Sequence, residues 1–198
     1  MAVTKTLIIY LSTSAGGIFL CFVALVTPGW ISVQEGGLAG VFYMCAYRSG
    51  QCSAFLYDDI ATECDGLIHI HLIDAQLAGV LGTVLGVVGW LVLLVYAISK
   101  ESSASLFVTS GIILLVASTF EFFLLVKFIV VNVVFFKKAE WAQFGFPFSM
   151  IISSSGLVLI MFTVVRIFIR NKQMINNCNS MAIVNARAIT TEPSTSLV

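Results

Sequence analysis

The chain has 198 residues, 59% hydrophobic and 10% charged, with a mean hydropathy of +1.04. A soluble domain carries roughly one quarter charged residues, so this is the composition of a membrane protein whose surroundings are lipid. Ten Lys plus Arg balance ten Asp plus Glu, and no basic run with interleaved aromatics occurs, which excludes nucleic acid as a partner.

The first apolar stretch, Leu7 to Val26, has 20 residues without a charge, about the length a membrane-spanning helix needs. It exceeds the apolar core of a signal peptide, and Val26-Thr27-Pro28-Gly29-Trp30 lacks a small-residue cleavage pattern. It is therefore expected to be retained as a span. Cys21 within it reads as a small hydrophobe.

A loop of 48 residues follows, Thr27 to Asp74. Short β-branched or aromatic runs (Trp30 to Gln34, Val41 to Ala46, Gln51 to Tyr57) alternate with Gly-Gly and Ser-Gly, the grammar of a small antiparallel sheet. A turn at Tyr47-Arg48-Ser49-Gly50 would set Cys45 opposite Cys52, close enough for a disulfide that an isolated hairpin would need. Cys64 is the odd cysteine: free, a competitor of Cys52 for Cys45, or a link between chains.

The second span is Ala75 to Ile98, 24 residues. Gly79, Gly82, Gly86 and Gly89 fall on one face of it, a stripe that lets helix backbones touch. Packing inside the bundle is the favoured reading, a dimer face the rival. Ser12, Ser14, Gly16 and Gly17 in the first span and Ser153 to Gly156 in the fourth are similar small-residue sets.

The third stretch, Leu106 to Phe136, has 31 residues. At about 1.5 Å each it rises roughly 46 Å against a hydrocarbon thickness near 30 Å, so its outer end is expected to stand in water, with Lys127 snorkelling at the headgroups. Glu121 lies deep in this span, where an ionisable group is a functional candidate by default. A hydrogen bond to a hydroxyl of another span is favoured over an ion or proton path. Lys127 is six residues on, about 240° around the helix, and does not face it.

The fourth span, Phe146 to Ile169, closes a unit over residues 1 to 169, and a polar tail over 170 to 198 reads as disordered. The tail holds Cys178, read as a plain tail cysteine in preference to a juxtamembrane palmitoylation site, and ends Ser196-Leu197-Val198, a short match to the carboxyl-terminal ligands of PDZ scaffold proteins. Lys5, Lys100, Arg166, Arg170, Lys172 and Arg187 fall on one side of the spans, against Arg48, Lys137 and Lys138 on the other. This asymmetry puts both termini in the cytoplasm and the long loop outside.

Trp30, then Gly40-Val41-Phe42-Tyr43-Met44-Cys45, then Cys52 resembles the first-loop signature of the claudin superfamily, Trp, Gly-Leu-Trp-x-x-Cys and Cys. That superfamily includes peripheral myelin proteins and the γ subunits of channels. The likeness extends to a larger first outer loop and a long third helix, and so covers nearly the whole chain. Val41 and Phe42 replace Leu and Trp, six residues rather than eight to ten separate the two cysteines, and Asp74-Ala75-Gln76 stands where a basic residue commonly closes the loop. The chain thus looks like a divergent, nematode-like claudin-like protein. The resemblance implies that Trp30, Gly40, Phe42, Cys45 and Cys52 hold the outer sheet. It also implies a plasma-membrane location, cell junctions included, and self-association in the same and in the facing membrane.

No phosphate-cradling glycine loop, nucleophile elbow or His-Glu-x-x-His helix is present, so neither an enzyme nor a cofactor is expected. His69-x-His71 would put two imidazoles on one side of an extended strand near Asp58, Asp59, Cys64 and Asp65, but the tight pairs of a structural zinc site are missing. No metal is expected. The fold expected is a four-transmembrane-helix bundle with a small extracellular antiparallel β-sheet. The function expected is adhesion, a paracellular barrier, or a cation-preferring paracellular pore lined by the acids Asp58, Asp59, Glu63 and Asp65. The alternative is an auxiliary subunit that regulates an ion channel or receptor.

Overall fold

A computed structural model describes the backbone of residues 5–33, 37–46, 51–54, 66–99, 104–138 and 148–190, and side chains over 5–30, 40–42, 73–99, 104–130, 148–177 and 180–181. Four helices make up the body: α1 (Lys5–Val26), α2 (Gly66–Ile98), α3 (Ala104–Lys138) and α4 (Phe148–Thr190). Each contains a stretch long and apolar enough to cross a membrane, namely Lys5–Val26, Ile73–Ile98, Ala104–Val130 and Phe148–Asn177. The protein is a multi-pass membrane protein.

The helices pack α1 on α4, α4 on α3, α3 on α2 and α2 on α1. Lipid supplies no hydrophobic drive between helices, so close backbone approach and interhelical hydrogen bonds must hold them. The α1–α4 crossing is at Gly17 and Gly156, where a Cβ on either residue would lie 2.7 or 2.6 Å from the other's carbonyl oxygen. The hydroxyls of Thr13 and Thr163 are 2.8 Å apart across the same seam, and Trp90 Nε1 of α2 donates to the Leu11 carbonyl of α1 over 3.1 Å.

The buried interior divides in two. One cluster, at the end bearing the long loop, contains Ala24, Leu25, Trp30, Val41, Ala75, Ala78, Leu124, Leu125, Phe128 and Met150. The other, towards the opposite end, contains Leu7, Tyr10, Ile18, Cys21, Leu93, Phe107, Leu114, Ile160, Val164 and Ile167. Outward-facing Phe19, Leu77, Phe122 and Val158 are more than half exposed, as a lipid-facing surface requires.

Three helix boundaries depart from the sequence expectation. α2 starts at Gly66 rather than Ala75, so the loop is shorter than residues 27–74. His69 and His71 therefore fall within a helix rather than an extended strand. The apolar run marks where lipid begins, whereas the helix continues through polar residues because nothing from Gly66 to Asp74 breaks it. At the other end of the chain, α4 has 43 residues and runs to Thr190, where a disordered tail from residue 170 was expected. Residues 157 to 192 contain neither Gly nor Pro, and elongating an anchored helix avoids the unfavourable nucleation step. α3, with 35 residues, runs to Lys138, slightly beyond the expected stretch.

Between α1 and α2 the backbone forms four short strands: β1 (Ile31–Val33), β2 (Gly37–Ala39), β3 (Tyr43–Ala46) and β4 (Gln51–Ala54). They pair antiparallel in the order β1-β2-β3-β4, with Cys45 in register with Cys52.

Candidate functional site

Two places concentrate the polar chemistry of the bundle. The first is where the loop leaves and rejoins the helices. Trp30 lies just past the end of α1, fully buried. Its Nε1 donates to the Ala24 carbonyl over 2.6 Å, one of the terminal carbonyls that a helix cannot satisfy internally. Its indole packs on Phe128 of α3 with ring centroids 4.6 Å apart. Ser149 N at the start of α4 donates to the Gly29 carbonyl over 3.1 Å, and the Thr27 and Ser149 hydroxyls are 2.7 Å apart.

Gly40 and Val41 complete this cap. A Cβ at Gly40 would lie 2.8 Å from the Pro28 Cα and from the Thr27 carbonyl oxygen, so only glycine lets the returning chain lie against the α1 exit. Val41 is fully buried, and its carbonyl accepts from Gln76 Nε2 of α2 over 2.8 Å. Phe42 is half-buried against the same cluster. All four helices thus grip the segment, through Ala24, Gln76, Phe128 and Ser149.

Just beneath the cap, Lys127 Nζ of α3 meets Asp74 Oδ2 of α2 at 2.6 Å and lies over the Phe123 ring, 4.9 Å from its centroid. This differs from the lone snorkelling lysine expected: extending α2 back past Ala75 brings Asp74 onto a helix, within reach of α3.

The second place lies between the two apolar clusters. Glu121 of α3 is 1% exposed. Thr83 Oγ1 of α2 donates to Glu121 Oε1 over 3.3 Å. Gly82 makes the room, since a Cβ there would be 2.9 Å from Oε1. The Cys21 thiol of α1 lies against the carboxyl and donates weakly to the Ser153 carbonyl of α4 over 3.8 Å. Four helices therefore each bring one polar residue to the centre. Glu121 Oε2 and Ser153 Oγ find no hydrogen-bond partner there among the described residues.

The glycine stripe of α2 faces inward. Gly79 abuts Leu25 and Leu124, Gly82 abuts Glu121, Gly86 abuts Ile18, and Gly89 abuts Leu114. The structure brings Trp30, Gly40 and Phe42 together at the cap and sets Glu121 apart from them in the bundle centre. Phe128, Gln76, Thr83 and Ser149 were missed in the sequence. Only Thr83 carried a signal, as a hydroxyl directly after a stripe glycine.

The side chains of Cys45 and Cys52, and Asp58, Asp59, Glu63, Cys64, Asp65, Ser196, Leu197 and Val198 altogether, lie outside the described residues. No group of three metal-ligating side chains occurs among the described residues. Neither a family model nor a curated protein matches the chain.

Proposed function

We propose that the protein is a claudin-like constituent of cell-cell contacts, with the loop between α1 and α2 outside the plasma membrane and both termini in the cytoplasm. The observation that carries this reading is the cap: of the first-loop signature, Gly40 lies against Thr27 and Pro28 at the α1 exit, and Trp30 and Val41 are buried in one cluster with the helices. A loop fixed to four helices keeps a constant height above the membrane, which side-by-side and facing contacts between copies require. Backbone register between Cys45 and Cys52 supports a disulfide that stiffens the outer sheet.

In this reading, copies associate through the loop in the same and the facing membrane. The loop acids Asp58, Asp59, Glu63 and Asp65 concentrate cations at any passage between cells, since fixed negative charge rejects anions. The terminal Ser196-Leu197-Val198 recruits a PDZ scaffold as an added edge strand. No catalytic step and no cofactor enter the account.

The test is electrical. Expressed in an epithelial monolayer lacking other claudins, the protein raises transepithelial resistance or makes passage cation-selective. Reversing Asp58 and Asp59 to Lys shifts the dilution potential towards anions if the acids line a passage. Unchanged resistance and selectivity on expression would contradict a paracellular role.

The auxiliary-subunit alternative predicts co-purification with a larger channel. Two surfaces it would have used are occupied: Glu121 is buried, and the α2 glycines pack on α1 and α3.

A further inference from the structure

The end of the bundle opposite the long loop carries a basic edge. Arg166 lies 18 residues beyond Phe148, where α4 starts, so it is about 27 Å along the helix, close to the roughly 30 Å hydrocarbon thickness. Arg170 follows one turn later, about 40° around the helix, and so continues the same side. Arg166 is exposed, its guanidinium 5.0 Å from the centroid of the Phe162 ring. Arg170 is half-buried and Lys172, farther round the helix, is exposed.

A further base comes from the neighbouring helix. Thr13 of α1 faces Thr163 of α4 across an antiparallel crossing. Counting eight residues outward from each puts exposed Lys5 level with Asn171. Both acidic side chains among those described are elsewhere: Asp74 pairs with Lys127 at the loop-bearing end, and Glu121 is buried in the bundle. Among the described residues, then, this end presents Lys5, Arg166, Arg170 and Lys172 with no acid to neutralise them.

We propose that this edge binds anionic phospholipid headgroups in the leaflet at that end, with Arg166 and Arg170 as the phosphate-contacting pair. Depth, charge and geometry agree. The two guanidiniums are at headgroup level, the ring of Phe162 carries the upper one at the hydrocarbon boundary, and a planar fork of donors matches phosphate oxygens in pairs. Lys5 and Lys172 add charge at the same level. The unbroken passage of α4 through this boundary fixes the arginines at consecutive turns. A multiply phosphorylated headgroup meets more of these charges than a singly charged one and is favoured.

The experiment reconstitutes the full chain in vesicles of phosphatidylcholine with minor phosphatidylserine and phosphatidylinositol bisphosphate. The protein is extracted with its surrounding lipid into polymer discs, and the retained lipids are counted by mass spectrometry. The wild type should be enriched in anionic lipid over the bulk vesicle, the bisphosphate most. A juxtamembrane base favours an anionic surface by about 1 kcal/mol, or roughly fivefold each. Arg166→Gln with Arg170→Gln should therefore lose most of the enrichment. Arg166 is exposed and Arg170 half-buried, and an unchanged elution profile checks that the variant folds. Arg187→Gln, 17 residues beyond Arg170 and so about 25 Å farther along the helix, should leave the enrichment intact. Lipid at bulk composition around the wild type, or equal loss in the Arg187 variant, would overturn the proposal.

Discussion

Gly17 of α1 and Gly156 of α4 touch backbone to backbone: a Cβ on Gly156 would lie 2.6 Å from the Gly17 carbonyl oxygen and 2.7 Å from Cys21 Sγ. Backbone cannot yield without separating the helices, whereas the Cβ that Gly82 lacks would meet the end of the flexible Glu121 side chain. Gly156→Ala should therefore destabilise by about 1–3 kcal/mol, the usual range for overpacking, and Gly82→Ala by less. Denaturation of the purified variants in detergent measures the order, and equal losses would contradict it.

The Thr83–Glu121 bond joins α2 to α3 in the middle of the membrane. Interhelical bonds in lipid average about 0.6 kcal/mol and reach about 1.7. A double-mutant cycle of Thr83→Val and Glu121→Ala, each of which removes one partner of the bond, should give a coupling in that range. Glu121→Ala should cost more than Glu121→Gln, because it opens a void between the two apolar clusters as well as removing the acceptor. No coupling would mean that the carboxyl is held by its packing alone.

Trp30 separates packing from hydrogen bonding at the cap. Trp30→Phe keeps a ring against Phe128 and leaves the Ala24 carbonyl only the Thr27 hydroxyl, 3.1 Å away, so it should cost one hydrogen bond, about 0.5–1.5 kcal/mol. Trp30→Ala should cost about 3–5 kcal/mol and free the loop from the bundle, read as faster proteolysis between α1 and α2 on intact cells. Protease resistance unchanged in the alanine variant would show that the loop is anchored elsewhere.

The Asp74–Lys127 pair is only partly shielded, with side chains 42% and 16% exposed. Its worth is therefore that of a surface pair, about 0.2–1 kcal/mol. Asp74→Asn should lower stability by that amount at low salt and by less at high salt. A loss independent of ionic strength would point to a role in packing instead.

The sequence made the lipid contact of each helix legible, because an uncharged run of about 20 residues has one physical explanation. It concealed where helices end in water. After Gly66 up to Asp74, and from Arg170 to Thr190, the chain is more polar yet contains no Gly or Pro, so polarity does not mark the end of the helix. The small residues announced close helix approach, but not that Gly17 would meet Gly156 or that Gly82 would make room for Glu121. Likewise, the apolar run alone assigns Asp74 to the loop and leaves Lys127 solitary, whereas the helical extension of α2 pairs them. Trp30 was singled out by resemblance, while Phe128, almost one hundred residues away, became its partner only through folding.

The most direct test of the central claim uses the tagged protein in contact-forming cells that lack claudins, mixed with cells that do not express it. The account predicts enrichment only at borders where both neighbours express the protein, and loss of that enrichment in Trp30→Ala that still reaches the surface. Uniform signal at every border, whether or not the neighbour expresses the protein, would contradict a contact built by the outer loop.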